Sequence, residues 1–322
     1  MLTLGEGNTL LEASPGLAAW AGVDELLLKR EDLNPTGSHK DRGARVQLEA
    51  CVARGDRVAV ISSSGNAALA AATYGAAAGV AVVAMLSPRT EPARLAAVAA
   101  AGARVVVTTK PINYALRLGR VRGWPDLRPS QSPEALDGFR SLGEELAGEL
   151  ENGTALVGYA SSGTTFQAVG EVLAAGGRRI PLHPVQAGLV NGISSAFGRS
   201  GDGRRSIVGD LGVKTSARTA AVVDLVRAAG GEAWWVDDSA IREAGSALRG
   251  AGHEVAAECS AALAGLRLAA REVSVTRACL LLTGRAAGPA PGGAESADPA
   301  PGTLARPAES FEEVRALVGD LG

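Results

Sequence analysis

Short apolar runs rich in valine alternate with alanine-rich stretches along most of the chain. The first series has runs at residues 58–61, 80–86 and 104–108, with alanine-rich stretches at 67–78 and 91–101 between them. The runs have the length of buried strands, and the stretches have the length of helices. Strand, turn, helix and strand at this pace predict βαβ units and a parallel sheet.

A second series of the same kind follows a polar stretch. Strands are predicted at 155–159, 183–186, 233–236 and 277–282, and helices at 141–151, 166–173, 217–228 and 260–270. Two series predict two α/β domains. We expect a smaller, mobile domain at 45–150 and a larger one formed by 1–44 plus 151–285. Residues 286–322 read as a tail rich in Pro, Gly and Ala, with a short amphipathic helix at 310–317.

Composition excludes several classes of function. The net charge is −2 and basic residues are scattered, which argues against a nucleic-acid partner. No apolar stretch reaches the roughly 20 residues of a membrane span, and no signal peptide is apparent, so we expect a cytoplasmic protein without a membrane partner. Cys51, Cys259 and Cys279 show no metal-ligand spacing and read as buried hydrophobes, so no metal site is expected.

Candidate ligand-binding segments stand at strand ends, where open α/β sheets place their ligands. Residues 160–165, Ala-Ser-Ser-Gly-Thr-Thr, open a helix, and the N–H groups and dipole at a helix N-terminus favour a phosphate. Residues 62–66 form a similar turn, which also reads as a simple N-cap. Thr283-Gly284 follows the last strand, and Lys40 lies in the glycine-containing run 34–43.

These segments resemble one enzyme family. GEGNTL at 5–10, LKREDLNPTGSHKDRGA at 28–44, SSGNAA at 63–68, the 160–165 turn, ECSAA at 258–262 and LTG at 282–284 occur in that family's order and spacing. The family is the fold type II group of pyridoxal 5′-phosphate (PLP) enzymes. It includes threonine synthase, the serine/threonine dehydratases, cysteine synthase and the tryptophan synthase β chain. Residues 28–44 are most similar to threonine synthase.

The resemblance implies a fold and a cofactor site. The fold is two α/β domains, each a mostly parallel sheet flanked by helices, with PLP in the cleft between them and bound mainly by the larger domain. Lys40 would hold PLP as a Schiff base and move protons as the catalytic residue. The other cofactor-binding residues implied are His39, Asn66, Ser161, Ser162, Gly163, Thr164 and Thr283. By the same analogy we expect a homodimer.

Three of these implied contacts have a specific chemistry. Asn66 would hydrogen-bond the ring oxygen of the cofactor, and Thr283 would face the pyridine nitrogen. A hydroxyl there, in place of a carboxylate, suits elimination and replacement better than transamination. A His-Lys pair such as His39-Lys40 resembles the tryptophan synthase β chain, where the histidine lies near the cofactor phosphate. The alternative for His39 is packing beside the cofactor without a proton role.

The substrate segment departs from threonine synthase. Substrate contacts are implied for Ser63, Ser64, Gly65, Asn66 and Ala67. Ala67 stands where threonine synthases commonly carry Thr, and Ala135 stands where the family usually carries an Arg. Loss of that guanidinium removes bonds that recognise a substrate phosphate, unless Arg94, Arg128 or Arg140 replaces it.

The sequence therefore predicts a PLP-dependent lyase with a rebuilt substrate site. It would perform β- or γ-elimination or replacement on an amino acid that carries a leaving group. The alternatives are threonine synthase itself, a serine/threonine dehydratase, a β-replacement enzyme of the cysteine synthase type, and a non-catalytic PLP-binding sensor.

Overall fold

The structure is a computed structural model that describes residues 2–63, 65–201, 203–209, 216–286, 307–319 and 321. The chain divides into two compact units. Unit 1 comprises Met1–Gly5, Lys40–Gly138 and Ala287–Gly322, and unit 2 comprises Glu6–His39 and Phe139–Ala286. These divisions fall at 39/40 and 138/139, whereas the sequence placed them at 44/45 and 150/151. Of the predicted tail, Ala286 belongs to unit 2, and residues 307–319 and 321 belong to unit 1. Residues 287–306 lie outside the described residues.

Strands and helices alternate along both units. The strands are β1 (Leu11–Ala13), β2 (Glu25–Lys29), β3 (Val58–Ser62), β4 (Ala81–Leu86), β5 (Arg104–Val107), β6 (Ala155–Tyr159), β7 (Leu182–Ala187), β8 (Trp234–Val236) and β9 (Arg277–Leu281). The helices are α1 (Pro15–Ala21), α2 (Lys40–Arg54), α3 (Asn66–Ala78), α4 (Pro92–Ala100), α5 (Pro111–Arg122), α6 (Pro133–Glu149), α7 (Thr164–Ala175), α8 (Gly192–Ser195), α9 (Thr219–Ala228), α10 (Asp238–Gly250), α11 (Ala257–Glu272) and α12 (Phe311–Val318). A short 3₁₀ turn lies at Glu31–Leu33.

Unit 2 is built on a six-stranded sheet with the order β1-β2-β9-β6-β7-β8. Strand β1 pairs antiparallel with β2, and the other five strands are parallel. Most residues of those five strands are buried, as expected for a sheet covered on both faces. One apolar core packs α1, α10 and α11 on one face, and a second packs the end of α6 with α7 and α9 on the other. The last strand of the unit, β9, lies in the middle of the sheet.

Unit 1 is built on the parallel sheet β3-β4-β5. Helices α2, α3 and α4 share one apolar core, and α5 shares the other with the C-terminal segment. Thr108 Oγ1 donates to the carbonyl of Ala308 (2.8 Å), and Tyr114 donates to the carbonyl of Glu309 (2.8 Å). Phe311 and Val314 of α12 are buried in this second core, so the C-terminal segment completes the unit.

Helices α2 and α6 approach each other closely at a glycine. A Cβ added to Gly138 in α6 would lie 2.3 Å from the carbonyl oxygen of Arg42 and 2.8 Å from the Cα of Gly43. The obstructing atoms are backbone, so they cannot move aside like a side chain. Gly138 therefore sets the distance between the two helices.

The predicted fold class is confirmed by this architecture. Each strand predicted from an apolar run has a counterpart within two residues at either end, and the predicted 310–317 helix corresponds to α12. Strands β1 and β2 and helices α1, α2, α5, α8 and α10 were not predicted. Among the described residues, no helix is long and apolar enough to cross a membrane.

Candidate functional site

The turn after β6, which the sequence predicted to bind a phosphate, leads directly into the N-terminus of α7. Gly163 has a left-handed φ of 82°, and a Cβ there would lie 2.8 Å from Cγ2 of Val222, so only glycine fits. Helix α7 begins at Thr164, and no N-cap side chain accepts a hydrogen bond from the first N–H groups of the helix. Ser162 and Thr164 are buried and their hydroxyls lie 2.8 Å apart. Ser161, which is half-buried, completes the turn.

Thr283 lies at the same edge of the sheet as this turn. Strands β9 and β6 are parallel neighbours, so their carboxyl ends, and the residues that follow them, point to one edge. Thr283 is buried, with 8% of the residue exposed. The structure thus brings together the predicted phosphate turn and the predicted ring-nitrogen contact within unit 2.

His39 is tied to the backbone of Thr283. The N–H of His39 donates to the carbonyl of Thr283 (3.1 Å), and Nδ1 of His39 lies 2.8 Å from the same oxygen. A carbonyl can only accept, so Nδ1 carries a proton in this contact. The ring of His39 also packs on Phe139, with centroids 5.5 Å apart. His39 is therefore fixed beside the Thr283 strand end.

Cys259 was not predicted to belong to this site. Its Sγ lies 3.8 Å from the hydroxyl of Thr283 and 3.5 Å from the carbonyl of Gly284. Burial raises the pKa of the Cys259 thiol to about 12, so the thiol stays protonated at neutral pH and can donate weakly to Gly284. The ECSAA motif that contains Cys259 was the available signal, but its composition reads as an ordinary apolar helix.

The chain just before Lys40 is held by buried polar contacts that the sequence did not reveal. Glu31 is fully buried and accepts from Thr9 Oγ1 (2.6 Å) and from Nδ2 of Asn34 (3.0 Å). The side-chain oxygen of Asn34 in turn accepts from the N–H of Gly7 (2.9 Å). These bonds join the motif at 5–10 to the motif at 28–44 and fix the turn from which Lys40 follows as the first residue of α2.

A second buried cluster holds the end of β2. Nζ of Lys29 lies 2.9 Å from Glu145, 2.8 Å from Glu149 and 2.9 Å from the carbonyl of Thr9, and the lysine side chain is 0% exposed. Its backbone carbonyl accepts from the N–H of Leu282 (3.0 Å). Lys29 therefore secures both the N-terminal segment and the strand end that leads to Thr283.

Gln186 links the turn after β6 to the neighbouring strand. Its amide donates to the carbonyl of Ala160 (3.0 Å) and accepts from the N–H groups of Ile193 and Ser194 (2.8 and 2.9 Å). The hydroxyl of Ser216 donates to the carbonyl of Ser162 (2.8 Å). Neither side chain was assigned a role from the sequence, because both act through backbone groups that are distant along the chain.

The residues predicted to bind substrate lie in unit 1. Ser63, Gly65, Asn66 and Ala67 form the turn between β3 and α3, at the carboxyl end of the unit 1 sheet. The N–H of Gly65 lies 3.3 Å from the hydroxyl of Ser63, and α3 begins at Asn66 without a side-chain cap. Ser64 lies outside the described residues. The structure therefore joins these four residues in one βα turn, together in unit 1 with the half-buried Lys40.

Ala135, which stands where an arginine was expected from the family resemblance, is packed on all sides. Ala135 is fully buried in the first turn of α6, and its N–H donates to the hydroxyl of Ser132 (3.1 Å). Two of the arginines considered as replacements already pair with carboxylates. Arg128 contacts Asp126 at 2.5 Å, and Arg140 contacts Glu171 at 2.8 Å. Among the described residues, no group of three or more His, Cys, Asp and Glu side chains is arranged to hold a metal ion.

Comparison with known proteins gives a family match and a set of relatives. Residues 2–284 match the model of the family described as pyridoxal-phosphate dependent enzyme. Threonine synthase of Methanosarcina acetivorans is 34% identical over 154 residues, which cover 47% of this chain and 38% of that protein. Threonine synthase of Mycobacterium leprae is 39% identical over 121 residues, covering 37% of this chain and 33% of that protein. The chain thus matches well under half the length of these relatives.

Solved structures share the fold. The processed form of threonine deaminase isoform 2 from Solanum lycopersicum superposes with a TM-score of 0.73 at 19% identity, covering 86% of this chain and 79% of that chain. Maize serine racemase gives a TM-score of 0.74 at 19% identity, covering 87% and 88%. At these identities the similarity shows the architecture and leaves the substrate to be argued from the site.

Proposed function

Because the chain belongs to the family of pyridoxal-phosphate dependent enzymes, we propose that it catalyses β- or γ-elimination or replacement on an amino acid with a leaving group. The observation that carries this proposal is the edge of the unit 2 sheet, where the Ser161–Thr164 turn and Thr283 follow the adjacent parallel strands β6 and β9. A hydroxyl stands after β9 where a carboxylate would favour transamination.

The residues of the unit 2 edge fit the cofactor. The uncapped start of α7 and the left-handed Gly163 offer N–H groups to a phosphate, and Ser161, Ser162 and Thr164 add hydroxyls. Thr283 would meet the pyridine nitrogen, and His39 would lie near the phosphate. Bound PLP supplies an electron sink for the negative charge left when the Cα proton is removed.

Lys40 is the proposed catalytic residue. It would hold the cofactor covalently and, when released, accept the Cα proton of the substrate on Nζ. A lysine that does this must be partly neutral. Lys40 is half-buried and is the first residue of α2. The turn before it, fixed by Glu31 and Asn34, would keep Nζ in place.

Substrate recognition is assigned to the β3–α3 turn. Ser63, Ser64 and the N–H groups of Gly65 and Ala67 would bind the substrate carboxylate, and Asn66 would also hydrogen-bond the cofactor's ring oxygen. Closed packing around Ala135 and the carboxylate partners of Arg128 and Arg140 argue against a phosphorylated substrate. These observations favour a dehydratase-like or β-replacement reaction on an unphosphorylated amino acid over threonine synthase itself.

The cofactor assignment is tested by locating the attached residue. The protein loaded with PLP is reduced with borohydride, digested and mapped by mass spectrometry. We expect the label on Lys40, no label in Lys40→Ala, and normal labelling in Lys110→Ala, a matched change at an exposed lysine of the same unit. A label on another lysine of the wild-type protein, or none, would refute the proposal.

The reaction is tested with four substrates. O-phosphohomoserine, O-phosphoserine, O-acetylserine and threonine are each supplied to the loaded enzyme, and phosphate, acetate and 2-oxo acid are measured. Release of 2-oxo acid from threonine indicates a dehydratase. Consumption of O-acetylserine only when a thiol is added indicates β-replacement. Turnover of none of them, with the cofactor firmly held, would favour a PLP-binding sensor.

Assembly and location stay predictions. By analogy with the family we propose a homodimer, which light scattering coupled to size-exclusion chromatography would measure. A cytoplasmic location and closure of the smaller domain over the substrate are proposed on the same analogy.

A further inference from the structure

The hydroxyl of Thr283 has a single hydrogen-bonding contact, the thiol of Cys259. Both residues are buried in unit 2, and Sγ of Cys259 lies 3.8 Å from Oγ1 of Thr283. Among the residues that the structure describes, no other group makes a hydrogen bond with that oxygen. A hydroxyl hydrogen rotates to suit its partners. The direction of this contact therefore determines whether the hydrogen of Thr283 points to Cys259 or away from it.

Backbone hydrogen bonds hold the thiol in this position. The N–H of Ala256, the residue before α11, donates to the carbonyl of Gly284 (2.9 Å). The N–H of Ala286 donates in return to the carbonyl of Glu254 (3.2 Å). These bonds fix the start of α11 beside the segment that follows β9. Cys259 lies in the first turn of α11 and is fully buried, so its place beside Thr283 is set by the fold.

Two arrangements of the hydrogens fit these contacts. In the first, the thiol donates to the carbonyl of Gly284 (3.5 Å), and the hydroxyl of Thr283 donates to Sγ. In the second, the thiol donates to Oγ1 of Thr283, and the hydroxyl can donate to another acceptor. The carbonyl of Gly284 already accepts from the N–H of Ala256, so it does not need the thiol hydrogen. Burial raises the pKa of the Cys259 thiol to about 12, so the thiol keeps its hydrogen at neutral pH.

We propose that Cys259 is a positioning residue, whose thiol donates to Oγ1 of Thr283 and so directs the Thr283 hydroxyl toward the pyridine nitrogen of the cofactor. The inference rests on the proposed function, in which Thr283 meets that nitrogen. A hydroxyl that accepts one hydrogen bond becomes a better donor in the next, because hydrogen bonds in a chain polarise one another. Cys259 would therefore strengthen the bond from Thr283 and tune the electron sink without touching the cofactor.

The bond from Thr283 is measured by nitrogen NMR of the full-length protein, loaded with PLP that is isotopically labelled at the ring nitrogen. A hydrogen bond moves the resonance of a pyridine nitrogen away from its unbonded position, and Thr283→Val marks that position in this protein. Cys259→Ala should move the resonance toward it by about 10–30% of the difference between the wild type and Thr283→Val. Cys259→Ser has nearly the same size and a stronger donor, so it should move the resonance the other way.

Two controls separate the hydrogen bond from packing. Cys279 is as fully buried as Cys259, but it lies in β9 and packs in the core on the other face of the sheet. Cys279→Ala therefore makes the same truncation and should leave the resonance where it is in the wild type. In a Thr283→Val background, adding Cys259→Ala should also leave the resonance unchanged, because the thiol acts only through the hydroxyl.

Three results would overturn the proposal. One is a resonance that does not move toward the unbonded position in Cys259→Ala or away from it in Cys259→Ser. Another is an equal movement in Cys279→Ala, which would indicate a packing effect. The last is an effect of Cys259→Ala that persists in the Thr283→Val background.

Borohydride mapping of each variant distinguishes failure of this inference from failure of the proposed function. A label on Lys40 together with a resonance that does not respond to Cys259 contradicts the inference alone. Absence of the label from the wild-type protein contradicts the proposed function, and the inference with it.

Discussion

Lys29 provides the sharpest test of how unit 2 is held together. Its ammonium is fully buried between Glu145, Glu149 and the carbonyl of Thr9. Replacing it with methionine keeps most of the side-chain volume and leaves two carboxylates without their cation. Breaking a buried ion pair in this way costs about 3–5 kcal/mol.

The partial exposure of the carboxylates sets the expected loss within that range. The side chain of Glu145 is 14% exposed and that of Glu149 is 32% exposed, so water can resolvate part of the uncovered charge. We therefore expect Lys29→Met to lower the free energy of unfolding by about 3 kcal/mol. For a unit of this size, the unfolding midpoint should fall by about 6–12 °C.

Tryptophan positions make the measurement specific to unit 2. Trp124 is the tryptophan of unit 1, and Trp20, Trp234 and Trp235 belong to unit 2. In a Trp124→Phe background, urea unfolding followed by fluorescence therefore reports unit 2 alone. The same background without the Lys29 change is the reference.

A triple variant separates charge from packing. Lys29→Met combined with Glu145→Gln and Glu149→Gln removes the uncompensated carboxylates, and it should recover at least half of the lost stability. The reasoning is refuted if Lys29→Met costs less than about 1 kcal/mol, the value of an exposed pair. It is also refuted if the triple variant is no more stable than the single one.

Three further predictions concern packing and pH. Gly138→Ala should lower the free energy of unfolding, measured in urea, by about 3 kcal/mol, because the added Cβ would clash with the backbone of α2. The control is Gly148→Ala in the same helix. Its added Cβ would have no atom within 4 Å, so this variant should be as stable as the wild type or more stable. Phe311→Ala should cost about 3 kcal/mol by emptying the second core of unit 1, and Glu312→Ala, at the exposed neighbour, should change the thermal midpoint little. Burial lowers the pKa of His183 to about 4, below its value of about 6.5 in the unfolded chain. As the pH falls, the unfolded state therefore binds the proton before the folded state does. The free energy of unfolding should fall by about 3 kcal/mol between pH 6.5 and pH 4. Urea midpoints across that range should show a flatter profile for His183→Asn, and an equal slope in both proteins would contradict this.

The sequence predicted the strands and helices that a short local pattern of residues indicates. Strands β3, β4 and β6 are continuous apolar runs with turn residues after them, and such runs are read without knowledge of their neighbours. Strand β2 was missed because Glu25 and Lys29 bound a run of only three leucines. Lys29 looks like a surface residue, and only its partners 116 and 120 positions later make burial possible.

The candidate site shows the same limit. The Ser161–Thr164 turn and the β3–α3 turn are short segments whose composition already suggests their conformation. The contact between His39 and Thr283 joins residues 244 positions apart, and the Cys259–Thr283 contact depends on how α11 packs beside β9.

The central position of β9 has a consequence for how the chain is made. Strands β2 and β6 both pair with β9, and β9 ends at Leu281, 122 residues after β6 ends at Tyr159. At about 5–20 residues per second, a ribosome needs about 6–25 s to synthesise that interval. During that interval β2 and β6 each have one edge without a neighbouring strand, because β9 pairs with both and has not yet been made. Unpaired strand edges are sites where chains aggregate. The sheet that presents Thr283 can therefore be completed only after β9 has been synthesised.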